Sequence, residues 1–190
     1  MTFAIYPSLA GRNVFISGGA TGIGADLVRA FARNHARVAF VDVQRAEGEA
    51  MAAGVKGEGG TALFLNCDVT DIAALRAAIA EARAKLGPIA VLVNNAANDE
   101  RHAVADVTAD HWDRAQNVNL RHHFFAAQAV HPQMCELGFG SIINLSSIAW
   151  RGAAEMPAYA TAKAGISAAP RQAIDERLMI EPCPSSRICG

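Results

Sequence analysis

In the segment YATAK, Tyr159 and Lys163 stand four residues apart, a spacing that puts two side chains on one face of a helix. A free tyrosine titrates at about 10, too high for a base at neutral pH, but a lysine ammonium nearby favours the phenolate. Ser147 lies twelve residues before Tyr159, after an apolar run, where its hydroxyl can bond the oxygen that gains or loses the proton. Asn119, in NVNL, is a candidate holder of a relay water. Alone, a Tyr and a Lys at this spacing are ordinary helix surface. Beside a serine at a strand end they read as a proton-transfer site.

A second cluster is SGGATGIG, residues 17–24. Gly18, Gly22 and Gly24 follow a G-x3-G-x-G spacing and let the backbone turn sharply between a strand and a helix. They also clear the helix N-terminus, whose free N–H groups attract a pyrophosphate. Ser17, Gly18, Thr21, Gly22, Ile23 and Gly24 are therefore candidates for holding a dinucleotide. Asp42 follows Gly22 by twenty residues and closes the next apolar run, where a carboxylate accepts hydrogen bonds from ribose hydroxyls. It repels a 2′-phosphate, and the glycine loop has no Arg or Lys, so the expected cofactor is NAD rather than NADP. Asp68 and Val69 would flank the adenine, and NNAA, Asn94 to Ala97 with Asn95 and Ala96 foremost, would line the same crevice.

Positioning these groups requires a sheet. Apolar runs at 13–17, 37–43, 61–69, 89–95 and 141–147 read as strands. Helical periods lie at 22–34, 46–53, 72–86 (capped by Asp71, stopped at Gly87-Pro88), 108–137 (Thr108 to Gly138) and from Pro157 through Lys163. The strands are continuous rather than alternating, as parallel strands buried on both faces are. The expected fold is α/β, a doubly wound, mostly parallel sheet.

With 190 residues, 52% hydrophobic, the chain is long enough for one domain burying roughly 70% of its unfolded surface. A net charge of −1 without a basic stripe argues against nucleic acid or an anionic membrane surface as partner. No signal peptide or spanning run is evident, so the expected location is cytoplasmic. Four cysteines, with no C-x-x-C pair, suggest incidental thiols rather than a disulfide framework. His122 and His123, being adjacent, should diverge on a helix, and no metal site is expected.

Taken in order, residues 17–24, Asp68, NNA at 94–96, Asn119, Ser147, Tyr159 and Lys163 resemble the classical short-chain dehydrogenase/reductase family. The resemblance runs from about residue 9 to 166. It implies a Rossmann-like fold and an Asn119–Ser147–Tyr159–Lys163 catalytic set, with Tyr159 and Lys163 also touching the cofactor and Lys163 holding the nicotinamide ribose; the family's usual serine-to-tyrosine spacing of about thirteen would fit Ser146, while the IINLSS context aligns Ser147 with a one-residue deletion in the loop. It also implies a homo-oligomer formed through the helices at 108–137 and from 157 onward. AIYPSL, NDERHAVADVTADHWD, NVNLRH and SSIAW resemble the NAD-dependent aldose (D-xylose) 1-dehydrogenases of that family. That likeness implies a small-molecule substrate, a sugar or other alcohol, met by Asn98, Arg101, Ser147 and Trp150.

From Pro170 the pattern changes. A proline in mid-helix costs about 3 kcal/mol and should break or kink it. EPCPSSRICG carries no strand pattern. The expected division is a dinucleotide-binding domain over 1–169, incomplete at its C-terminal end, and an atypical tail, read as out-of-frame, over 170–190. The alternative function on that reading is a catalytically inactive nucleotide-binding remnant.

Overall fold

The computed structural model describes residues 4–175, with side chains described to residue 166. Five strands form one sheet: β1 (Asn13–Ser17), β2 (Arg37–Asp42), β3 (Thr61–Asn66), β4 (Val91–Asn94) and β5 (Ser141–Asn144). Their order is β3-β2-β1-β4-β5, and every neighbouring pair is parallel. The helices are α1 (Gly22–Arg33), α2 (Arg45–Gly57), α3 (Ile72–Leu86), α4 (Ala109–Gln116), α5 (His122–Leu137) and α6 (Pro157–Asp175).

Successive strand residues point to opposite faces, so an uninterrupted apolar strand feeds two cores. Val14, Ile16, Val38 and Phe40 pack with Val28 of α1 and Met51 and Val55 of α2. Phe15, Ala39, Val41 and Leu92 pack on the other face with Leu75 and Ile79 of α3 and Val130 and Met134 of α5. The sheet is thus doubly wound, as the sequence predicts. Phe15 and Phe40 are fully buried on opposite faces, each contributing about 1.5–3 kcal/mol of apolar burial.

Local signals set the boundaries. Asp71 caps α3 by accepting from the N–H groups of Ala73 (2.9 Å) and Ala74 (3.0 Å). Thr108 caps α4 by accepting from His111 N (3.1 Å), and Gly138 ends α5 at φ 71°. Three expectations need correction. The single helix over 108–137 is divided by a π-helical turn, Asn117–Arg121, which inserts an extra residue into the ladder. His122 and His123, just past that turn, do not diverge: their ring centroids lie 4.3 Å apart, edge to face, in a buried site. Pro170 does not break α6, which runs to Asp175; of the two expected outcomes only the break is overturned, since a long helix can absorb an interior proline as a kink and the loss of one backbone bond. The part of the expected tail beyond 175 lies outside the described residues.

Candidate active site

Chain progression reverses at β1, which has β2 on one side and β4 on the other. Ligands of open α/β sheets bind in the crevice this reversal leaves beyond the carboxyl ends of the strands. Here that crevice is an open cleft of about 350 Å³. Gly18, Thr21, Ile23, Gly24, Asp42, Asp68, Val69, Asn95 and Ala96 all line it, as the sequence predicts. Ala97 lines it too, as predicted, and so do Val43, Gln44, Cys67 and Val118, which were not anticipated. For Val43, Gln44 and Cys67, the position just after a strand would have been signal enough.

The glycine loop is held by its neighbours. Asn95 donates through Nδ2 to the carbonyls of Ser17 (3.1 Å) and Gly18 (2.8 Å). A Cβ on Gly24 would sit 1.7 Å from the Gly18 oxygen, so no side chain fits there. Thr21 precedes α1 without a side-chain capping bond; its Oγ1 accepts from Gln44 instead (3.2 Å). The first-turn N–H groups of α1 therefore have no side-chain acceptor at the cleft wall. Three predicted residues do not line the cleft: Asn94, which is fully buried, Gly22 and Ser17. Gly22 serves the turn at φ 56°. Ser17 is 1% exposed, and its Oγ accepts from Asn95 N (3.0 Å) and Ala96 N (3.1 Å) and contacts His122 Nε2 (3.4 Å).

Asp42 accepts from Ala20 N (3.0 Å) through one carboxylate oxygen and from Gln44 N (3.1 Å) through the other. Asp68 Oδ1 takes the backbone N–H and hydroxyl of Thr70, both at 2.8 Å. Cys67 is buried at the cleft floor, where desolvation, with Asp68 and Asp71 adding to it, raises its thiol pKa to about 11. It is an inert wall rather than a nucleophile.

On α6, the Lys163 Nζ lies 5.4 Å from the Tyr159 ring centroid, on the shared face of the helix. Lys163 is 2% exposed and donates to the Leu145 carbonyl (2.9 Å), and burial lowers its pKa from 10.5 to about 8. Ser146 Oγ donates to the Lys163 carbonyl (3.0 Å), so the end of β5 is tied twice to α6. Ser147 heads a 3-10 turn, Ile148–Arg151, that packs on α6, and its Oγ accepts from Ala149 N (3.2 Å).

Asn119 is fully buried in the π-helical turn. Its Nδ2 donates to the carbonyls of Asn98 (2.9 Å) and Ala115 (3.0 Å), and its Oδ1 accepts from Asn98 N (2.8 Å). The amide is thus occupied in fastening the loop after β4. A small cavity of about 110 Å³ opens between this loop and Tyr159. Asn98, Glu100, His102, His111, Arg114 and Asn119 line it; Arg101, Ser147 and Trp150 are not among its lining residues. Trp150 is 47% exposed, with the Arg151 guanidinium 5.2 Å from its ring centroid. Among the described residues, no group of three or more His, Cys, Asp or Glu could hold a metal ion. No helix among them is long and apolar enough to cross a membrane.

Fold and crevice define a doubly wound α/β protein with a dinucleotide-type site. Residues 12–177 match the family model for short chain dehydrogenases. The chain is 52% identical, over 163 residues, to a probable galactose dehydrogenase of Rhizobium meliloti, covering 85% of this chain and 64% of that protein. It is 46% identical over 167 residues to the D-xylose 1-dehydrogenase of Caulobacter vibrioides, covering 87% and 66%. Among solved structures, a short chain dehydrogenase from Mycobacterium smegmatis superposes with a TM-score of 0.87 at 30% identity, over 93% of this chain and 75% of that one. An NAD+-bound xylitol dehydrogenase gives 0.84 at 28%, over 88% and 65%. The chain belongs to the short chain dehydrogenase family, and it spans just under two thirds of the length of the two sugar dehydrogenases.

Proposed function

We propose that this protein is an NAD-dependent dehydrogenase that oxidises a hydroxyl, anomeric or secondary, of a sugar-like substrate, with Tyr159 as the acid–base. The observation that carries the reading is the buried Lys163 ammonium, 5.4 Å from the ring centroid of Tyr159, which lines a cavity that shares Val118 with the crevice. Identity of 46–52% to two sugar dehydrogenases supports the substrate class.

The crevice residues suit the cofactor. The uncapped first turn of α1 offers N–H groups to a pyrophosphate, and the Asp42 carboxylate suits ribose hydroxyls and opposes a 2′-phosphate. The apolar Val43 and Val69 suit the adenine faces. Bound nicotinamide would supply the acceptor for the hydride leaving the substrate carbon. Tyr159 takes the hydroxyl proton as the carbonyl forms, and the Lys163 charge favours the negative charge developing on the phenolate side. Ser147 bonds the reacting oxygen, and Asn119 holds the Asn98 loop against the cavity. Trp112 and Phe124, exposed on α4 and α5, support self-association through that surface.

The test is the absorbance of NADH with xylose, arabinose, galactose and glucose. NADH formation that falls about 100-fold or more in Tyr159→Phe supports the reading. A folded protein that binds NAD but reduces none with any sugar would replace it with the nucleotide-binding remnant.

A further inference from the structure

We propose that His102 and Arg114 determine specificity, recognising hydroxyls of a neutral polyhydroxylated substrate in the small cavity beside Tyr159; this rests on the sugar-dehydrogenase reading. The cavity brings together an acceptor and a donor that the fold itself does not use. His102 Nδ1 lies 3.0 Å from the Glu100 carbonyl, which can only accept, so Nδ1 carries the ring hydrogen. In the neutral ring Nε2 is then an acceptor. It is buried and has no hydrogen-bond partner. A buried acceptor left unmade is unfavourable unless a ligand supplies the donor, and a hydroxyl is the matching group.

Arg114, on α4, lines the same cavity, and its guanidinium has no hydrogen-bond or ion-pair partner among the described residues. It offers only donors, so a second hydroxyl oxygen suits it. Glu100 lines the cavity as well, which balances the charge and favours a neutral ligand over an anionic one. The imidazole is also held in place. His102 N donates to the Glu155 carbonyl (2.7 Å), linking the loop after β4 to the segment that leads into α6 and Tyr159. Glu155 sits at φ 61°, a left-handed conformation unfavourable for a glutamate, as strained backbone at ligand clamps often is. The His111 ring closes the other side of His102, edge to face at 4.2 Å.

The test is calorimetric titration of the whole chain, saturated with NADH so that no turnover occurs, with D-galactose and its monodeoxy analogues. We expect at least one deoxy analogue to bind about tenfold or more weakly than galactose. His102→Leu should bind the two equally, and His102→Gln, which keeps an acceptor near the Nε2 position, should restore part of the difference. Arg114→Gln should weaken galactose itself. No measurable galactose binding, or discrimination unchanged in His102→Leu, overturns the proposal. Tyr159-dependent NADH formation with unchanged discrimination would sink this proposal alone. His102-dependent sugar binding without NADH formation would sink the catalytic reading alone.

Discussion

Ser17→Ala probes whether the crevice is held open by polar struts rather than by apolar packing. The Ser17 hydroxyl accepts from two consecutive backbone N–H groups, Asn95 at 3.0 Å and Ala96 at 3.1 Å, and so joins the end of β1 to the end of β4. Its own hydrogen has His122 Nε2 at 3.4 Å. Alanine removes one oxygen and strands both amides. An unmade bond to a buried group costs about 1–3 kcal/mol. Asn95 and Ala96 line the cleft, so water reaches them and the low end applies, giving about 2 kcal/mol for the pair. With a urea slope of about 2 kcal/mol per molar, the unfolding midpoint should fall by about 1 M at unchanged slope. Circular dichroism during urea titration measures it. A midpoint within about 0.2 M of the parent, slope unchanged, would mean that the two N–H groups need no protein acceptor and that packing alone holds the crossover.

Asp42→Asn removes the charge but keeps an acceptor for a backbone N–H; the ratio of kcat/KM for NADP over NAD should rise about tenfold or more, and an unmoved ratio would reject Asp42 as the discriminator. Acid should destabilise the fold through the two buried histidines. Burial, with a smaller contribution from Lys163, lowers the His123 pKa from 6.5 to about 4, and His122 is lowered well below 6.5 by burial, His123 and Lys163. Above pH 6.5 neither folded nor unfolded rings are charged and the effect vanishes; below it the unfolded rings take protons first, so stability falls until the folded pKa is reached. At pH 5.5 the loss is about 1 kcal/mol for His123, with His122 acting in the same direction, and His123→Asn should flatten the fall in urea midpoint between pH 7.5 and 5.5.

The sheet and the cleft were legible because they depend on backbone conformation and burial, which leave periodic signals. Five apolar runs marked five strands, and Asp42, Asp68 and Asn95 were found because topology sends the residues at or just past the carboxyl ends of β2, β3 and β4 into the crevice. The π-helical turn was not legible, since one inserted residue leaves the apolar pattern of 108–137 almost unchanged. The cavity residues Glu100, His102, His111 and Arg114 were missed for a different reason. They come from an irregular loop and the first turns of α4, where no period tells which side chain faces inward. Arg101 and Trp150 came from family likeness and chemical type, neither of which carries a direction, and they stand outside the lining of this cavity.

The same uncertainty about direction explains Ser17, and it bears on how such a site is built. A reversal of strand order opens a crevice because the chains leaving β1 and β4 part company, and parting chains leave backbone groups without ladder partners. Those groups must be paired by side chains beneath the ligand. Ser17 takes the N–H groups of Asn95 and Ala96. Asn95 takes the carbonyls of Ser17 and Gly18. Asn94 Nδ2 donates to Asn144 Oδ1 (2.9 Å), which also lies 3.1 Å from His123 Nδ1, carrying the tie across β4 and β5 to α5. Lys163 then fastens α6 through the Leu145 carbonyl. One polar seam thus runs under the crevice from the glycine loop to the helix of Tyr159. Residues that look like ligand contacts in the sequence divide into those that face the cleft and those that hold its two walls apart, and only burial and hydrogen bonding separate the two.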